Sequence, residues 1–231
     1  AKARLTQETR LFTDALVQRI ATHTEIVHGL RGLFSAKPGL TRAEFERVAS
    51  ELDISERYPG VRNLSFTRRV TLEEKADYEA RVRADTSINP AGYPDFVIRP
   101  PGDRPEYFVA EYLWPMKGNE AVLGLDISAQ PTNLAAMQYS RDSGHTVASA
   151  PFDLVQEQTH RAAFVIRVPV FDRSGVSDLK PQVFVGAVAA TIRVYDLVRF
   201  MRGEGLLNGI AVSITDQGSP RAGATDTPVR V

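Results

Sequence analysis

From Leu5 to Phe34 the chain has no proline, and only Gly29 and Gly32 interrupt it. Phe12, Leu16, Ile20, Val27, Leu30 and Phe34 recur within this run at close to helical spacing. A helix of roughly 30 residues spans about 45 Å. Because much of its surface is polar, it suits a stalk or the seam of a dimer. A long core helix fits the same pattern equally well, so both readings stand at this point. The break comes at Pro38 and Gly39, and a new helix starts at once. Thr41 and Glu44 have the spacing of a capping box, Leu40 and Phe45 sit at the staple positions, and Phe45, Val48 and Leu52 form its apolar stripe.

Beyond this point helix and strand patterns alternate. "YPGVRNLSFTRRV" reads as a turn and a strand, and Thr71 with Glu74 makes a second box ahead of "EEKADYEARVRAD". Prolines crowd residues 89–105, within which "FVIR" (96–99) reads as a strand. Further strands are expected at "EYFVAEYLW" (106–114), "AVLGLD" (121–126), "TVAS" (146–149), "RAAFVIRVPVF" (161–171), "QVFVGAVAATI" (182–192) and "GIAVSITD" (209–216). A helix from Pro131 should stop at Gly144. Another carries Val194, Leu197, Val198 and Met201 on one face and ends at Gly203 and Gly205. Strands of antiparallel character with interspersed helices indicate an α+β fold rather than a doubly wound sheet. A helix followed by strands occurs twice, at 131–171 and 193–215, which hints at two related modules.

Composition narrows the function classes. The 231 residues suffice for one large domain or two small ones, and Lys+Arg and Asp+Glu are 28 each. A net charge of zero gives no electrostatic footprint for nucleic acid. The chain has no cysteine, which removes disulfides, thiolate catalysis and thiolate metal sites together and suits an oxidising compartment. No apolar run approaches the roughly 20 residues needed to cross a bilayer. The first residue is Ala, so an excised or processed segment is expected.

Chemical motifs are sparse. Of the four histidines, His23 and His28 are five apart and cannot share a helical face as a ligand pair, while His145 and His160 fall near expected loops. "GEGLLNG" (203–209) superficially resembles a phosphate loop but follows a helix and has the wrong spacing. No metal site, cofactor site or catalytic constellation is expected. Arg167 is more informative, since it lies inside an apolar strand with Val165 and Pro169 on its own face. A guanidinium there must be paired, either with an internal acid or with a polar ligand. Trp114 reads as core or as a ligand platform. In "GLDISAQPTNLAAM" (124–137), Asp126 or Ser128 can cap the following helix, yet capping leaves Asn133 unexplained. In a first turn, an amide beside partly free N–H groups could recognise a small polar molecule.

Taken in order, several stretches resemble the CHASE family of extracytoplasmic sensor domains, which includes plant cytokinin receptors. "LSFTRRV" with "EEKADYEARVRA" is similar to that family's Val…Glu-Arg…Phe-Glu signature. Residues 106–156 resemble its central block, and "VIRVPVF" its apolar strand with Pro-Val-Tyr. The resemblance runs from about Leu5 to Met201, and its G-x-D…S-G…P-F…P-V-[FY] order is specific as a set. Lys75, Tyr78, Val109 and Phe171 depart mildly from the pattern.

The resemblance implies a long N-terminal stalk helix followed by two PAS-like antiparallel-sheet modules. It divides the chain into a stalk and second helix (1–58), a membrane-distal ligand-binding module (59–171) and a membrane-proximal module (172–231). It further implies a homodimer, a parent protein of the inner membrane with this portion in the periplasm, and a histidine kinase or cyclic-dinucleotide enzyme as cytoplasmic output. The family's ligand-contacting carboxylate falls on Asn133, its pocket threonine on Arg167, and the leucine whose backbone meets the ligand on Val155. With these, Ile127, Trp114 and Met137 complete the expected ligand-binding set. The changes from acid to amide and from hydroxyl to guanidinium point away from an adenine-type cytokinin and toward an anionic or carboxylate ligand. The expected function is thus a small-molecule sensor domain of a transmembrane receptor; the alternative is a ligand-free dimerisation or protein-interaction module.

Overall fold

Two residues that break most helices, Gly29 and Gly32, sit inside one that runs uninterrupted. In the computed structural model, which describes residues 2–155, 162–172, 182–206, 213–215 and 228–230, helix α1 covers Lys2–Ala36. Its two halves have different surroundings. Ile26, Val27 and Leu30 are buried against the sheet, whereas Leu5, Leu11 and Val17 are exposed. Phe12 is buried as well, so the core-helix reading extends into the N-terminal half.

Helix α2 (Arg42–Glu51) opens with the expected capping box, in which Thr41 Oγ1 accepts from the Glu44 amide and Glu44 accepts from the Thr41 amide. A short α3 (Ile54–Arg57) leads into β1 (Val61–Thr71). Thr71 and Glu74 exchange the same reciprocal bonds, but α4 (Lys75–Arg83) begins only after that turn. Then come β2 (Glu106–Trp114), α5 (Pro131–Ser143), the two-residue strands β3 (Val147–Ala148) and β4 (Phe152–Asp153), and β5 (Ala162–Asp172). The remaining described elements are β6 (Val183–Arg193), α6 (Val194–Gly203), β7 (Ser213–Thr215) and β8 (Pro228–Arg230). Val194, Leu197, Val198 and Met201 of α6 are all buried, as the stripe requires.

Two expected strands do not form. Residues 96–98 are irregular between Pro94 and Pro100, with Phe96 and Ile98 buried in a satellite core beside Tyr78 and Val82. "AVLGLD" is a 3-10 turn over Glu120–Val122 followed by single bridges at Leu125 and Asp126. Apolar content signalled burial at both places, and burial came without a ladder.

The main sheet is antiparallel, with order β2-β1-β6-β5-β3 and β4 alongside β5. Helix α1 covers one face, where Leu64, Phe66, Ile166, Val168, Val188, Ala190 and Ile192 form the main core. On the opposite face, under α5, the alternate positions are strikingly different in kind: Asn63, Ser65 and Thr67 of β1, Arg167 of β5 and Thr191 of β6. The expected division at 171/172 does not follow this hydrogen bonding. Strand β6, from the segment assigned to a second module, pairs with β5 from Ala163↔Arg193 to Asp172↔Val183 and with β1 on its other side. Both of its edges are satisfied within the first sheet. Beyond Leu206, most of the expected proximal module falls outside the described residues, as do His160 and residues 207–209 of the Gly-rich run.

Candidate ligand-binding site

Small residues in the middle of the sheet make room for a large one. Arg167 stands in register with Ala189 of β6, which in turn faces Ser65 of β1, and Ala187 follows on the same face. The guanidinium can therefore lie over the sheet beneath α5. It is 2% exposed. One Nη donates a short hydrogen bond to Asn133 Oδ1, while Nε and the second Nη have no partner among the described residues. No acid engages it. Burial alone pushes its pKa down to about 9, so at neutral pH it is still a cation, held where charge is costly.

The stretch 124–137 supplies the roof, and its polar groups divide the work. Gly124 has φ +79, and a Cβ there would meet the Val97 carbonyl at 2.7 Å, which is why the G-x-D turn needs glycine. Asp126 Oδ1 accepts from the amides of Phe108 and Ser128, each at 3.0 Å, and from the Ser128 hydroxyl at 2.7 Å. Its other oxygen faces Arg104 at 3.3 Å. Asp126 thus ties β2 to the short 3-10 turn Ile127–Ala129 and is not free for a ligand. Helix α5 then begins at Pro131 with Gln130 as N-cap and no side-chain cap. Asn133 Nδ2 donates to Gln130 Oε1 at 2.8 Å, which turns its oxygen to Arg167. Asp126 caps the 3-10 turn and neither it nor Ser128 caps α5, so the expected cap of that helix is not made; the recognition reading remains for Asn133.

Beside this pair lies a cavity of about 40 Å³, lined by Asn133, Arg167, Gln130, Ser65, Thr67 and Thr191 among others. That is room for no more than a few ordered waters. Of the expected set, Asn133, Arg167, Ile127 and Val155 line it, Val155 being half exposed at its rim. Met137 and Trp114 do not. Met137 is fully buried between α5 and the sheet with Phe108, Ile127, Phe184 and Ala187. Trp114 packs toward the main core on the α1 face. The cause is a bulge: Phe66 pairs with Tyr112 but Thr67 with Ala110, so Glu111 is the extra residue and the alternation of β2 reverses there. Sequence reading missed Asn63, Ser65, Thr67, Gln130 and Thr191, although the alternating polar letters of "NLSFT" carried the signal for three of them.

A larger groove of about 500 Å³ lies on the other face, between the end of α1 and the sheet. Its cation, Arg68, is already paired with the buried Glu111. Among the described residues no cluster of His, Asp and Glu could hold a metal, and no helix is long and apolar enough to cross a membrane.

An antiparallel sheet between a long N-terminal helix and a helix-roofed polar cavity is the architecture of extracellular PAS-like sensor domains, and solved structures of that class superpose on it. The ligand-binding domain of the Pseudomonas aeruginosa PAO1 amino-acid chemoreceptor PctC, solved with GABA, aligns over 94% of this chain and 73% of its own, with TM-score 0.53 and 12% identity. An extracellular ligand-binding receptor from Desulfohalobium retbaense aligns over 91% of this chain, with TM-score 0.52 and 14% identity. This chain spans only 28% of that receptor. The CHASE domain family matches residues 38–225, and the chain belongs to it: it is an extracellular sensor domain. A comparison with curated proteins finds none that matches.

Proposed function

We propose that this chain senses a small molecule outside the cytoplasm, in the periplasm, for a receptor of the inner membrane, and that the ligand enters the cavity shared by Asn133 and Arg167. The observation that carries this reading is the buried guanidinium, which among the described residues meets no acid and keeps two unengaged nitrogens. Leaving such groups unpaired costs several kcal/mol unless something completes them. A carboxylate or other anion does so with charge-assisted bonds, and the uncapped N-terminus of α5 adds favourable field from the roof. In the dimer the ligand acts by favouring one arrangement of the stalk helices, and flanking spans pass that choice to a cytoplasmic kinase or cyclase. A tenfold preference for one arrangement, about 1.4 kcal/mol, is within reach of a single charged hydrogen bond.

One observation favours the alternative of a ligand-free dimerisation module: a cavity of about 40 Å³ is small for a signalling molecule. A thermal-shift screen with organic acids, amino acids and purines separates the two. Stabilisation by an anionic member, absent in Arg167→Gln, supports the sensor; no shift with any member in a folded protein supports the module.

A further inference from the structure

We infer that the Arg167 cavity is built for a compact carboxylate without an ammonium group, a short hydroxy- or oxo-acid, and that it rejects amino-acid zwitterions. This rests on the sensor reading above. The first observation is the charge of the lining. Its described residues carry one cation, Arg167, and no acid. Asp126, on the neighbouring turn, is taken up by two amides, a hydroxyl and Arg104. An ammonium group brought into this space would lose its hydration with no carboxylate to receive it, and would lie within a few ångströms of a buried cation and a helix N-terminus. A carboxylate alone meets the opposite conditions.

The second observation is what surrounds the charge. Ser65 and Thr67 of β1 line the cavity as hydroxyl residues, and Gln130 lines it as an amide from the roof, while the amide of Asn133 is bonded to Gln130 and Arg167. Such groups can donate to or accept from a hydroxyl or keto oxygen next to the carboxylate. They cannot neutralise a second charge. Asn63 and Thr191 are already bonded, Thr191 Oγ1 to Asn63 Oδ1 at 3.2 Å and Asn63 Nδ2 to Asn119 at 3.2 Å, so they fix the floor rather than the guest. The third observation is size. A cavity that holds a few waters suits roughly four to six heavy atoms in place of those waters, and its lining includes the apolar Phe152 and Leu154.

Lactate, alanine and lactamide make the test, because they share one skeleton and differ by hydroxyl against ammonium and carboxylate against amide. Calorimetric titration of this domain should give lactate, or its shorter relatives glycolate and pyruvate, at least tenfold tighter than alanine. Lactamide should not bind. Arg167→Gln and, independently, Asn133→Asp should each remove the carboxylate response, the second by neutralising the guanidinium internally. Alanine, glycine or GABA binding as tightly as the hydroxy-acids, through Arg167, would overturn this inference and leave the sensor reading intact. If neither these acids nor any member of the wider screen binds a folded domain, both fall together.

Discussion

Arg167 is a residue whose cost to the fold can be separated from its use. A side chain kept for stability loses stability when removed, whereas one kept for a ligand gains. On the proposed sensor reading Arg167 is of the second kind, with Nε and one Nη unengaged among the described residues and burial lowering its pKa to about 9. Arg167→Met, similar in length and apolar, should raise unfolding free energy by about 1–2 kcal/mol while abolishing ligand-induced stabilisation. Chemical denaturation with and without ligand checks both parts; a mutant that unfolds would make Arg167 structural. His23 sets a different residue-scale prediction. It is buried on α1 near the Tyr58 ring, with both ring nitrogens unpartnered among the described residues. Burial, then the nearby Arg19 charge, lowers its pKa to about 4. Its folded pKa lies below the unfolded value near 6.5, so neutral His23 costs nothing above that pH. Stability is lost as pH falls from about 6.5 to 4, by at most ~1.4 kcal/mol per pH unit. His23→Leu should flatten that part of a thermal-stability profile against pH.

At the scale of elements, period and punctuation were legible where the chain's own letters decide the outcome. The proline-free run, the Thr41–Glu44 box, the α6 stripe and the Gly144 stop all appear as read, because caps and amphipathic faces are local properties. Thr41→Ala should therefore cost about 1 kcal/mol, measurable by urea unfolding. What letters could not decide was pairing. "FVIR" and "AVLGLD" are apolar enough for strands but find no ladder, and the place of β6 between β1 and β5 is a non-local choice. The bulge at Glu111 was equally hidden, and it moves Trp114 away from the cavity. Arg167 and Asn133 were legible as polar groups out of place; their meeting was visible only through family resemblance and then in three dimensions. The β1–β6 pairing has its own test. Gly186 has φ +153, and a Cβ there would lie 2.2 Å from the Thr67 carbonyl oxygen, with the Phe66 ring also in contact range. Gly186→Ala should cost about 2–4 kcal/mol by displacing β6 from β1. It should also weaken ligand binding, because Thr67 and Ala187 belong to the cavity face.

For the whole molecule, the question is how a guest under α5 reaches α1 on the far side of the sheet. Two connections are physical. Strand β5 carries Arg167 toward the cavity and Ile166 and Val168 into the core against α1. At the end of α5, Ser140 Oγ donates to the His145 carbonyl at 2.9 Å, and the adjacent Thr146 hydroxyl bonds the stalk residue His28 at 2.9 Å. Thr146 leads directly into β3, whose Val147 pairs with Arg167. The roof helix, the ligand-bearing strand and the stalk therefore meet at one point. A change in the roof on binding can shift α1 only if the two stalk arrangements differ in affinity for the guest. Because the chain has no cysteine, a single reporter can be placed cleanly. Val17 lies on the exposed half of α1, 59% accessible. In the full receptor, Val17→Cys should form an interchain disulfide at a rate that changes severalfold with ligand. Adding His28→Ala should leave ligand affinity within about twofold, since His28 does not line the cavity, yet reduce that change. An unaltered response in the double mutant would remove the His28–Thr146 bond from the signalling route and leave β5 as the carrier; a cross-linking rate indifferent to ligand in Val17→Cys alone would remove stalk motion from the mechanism.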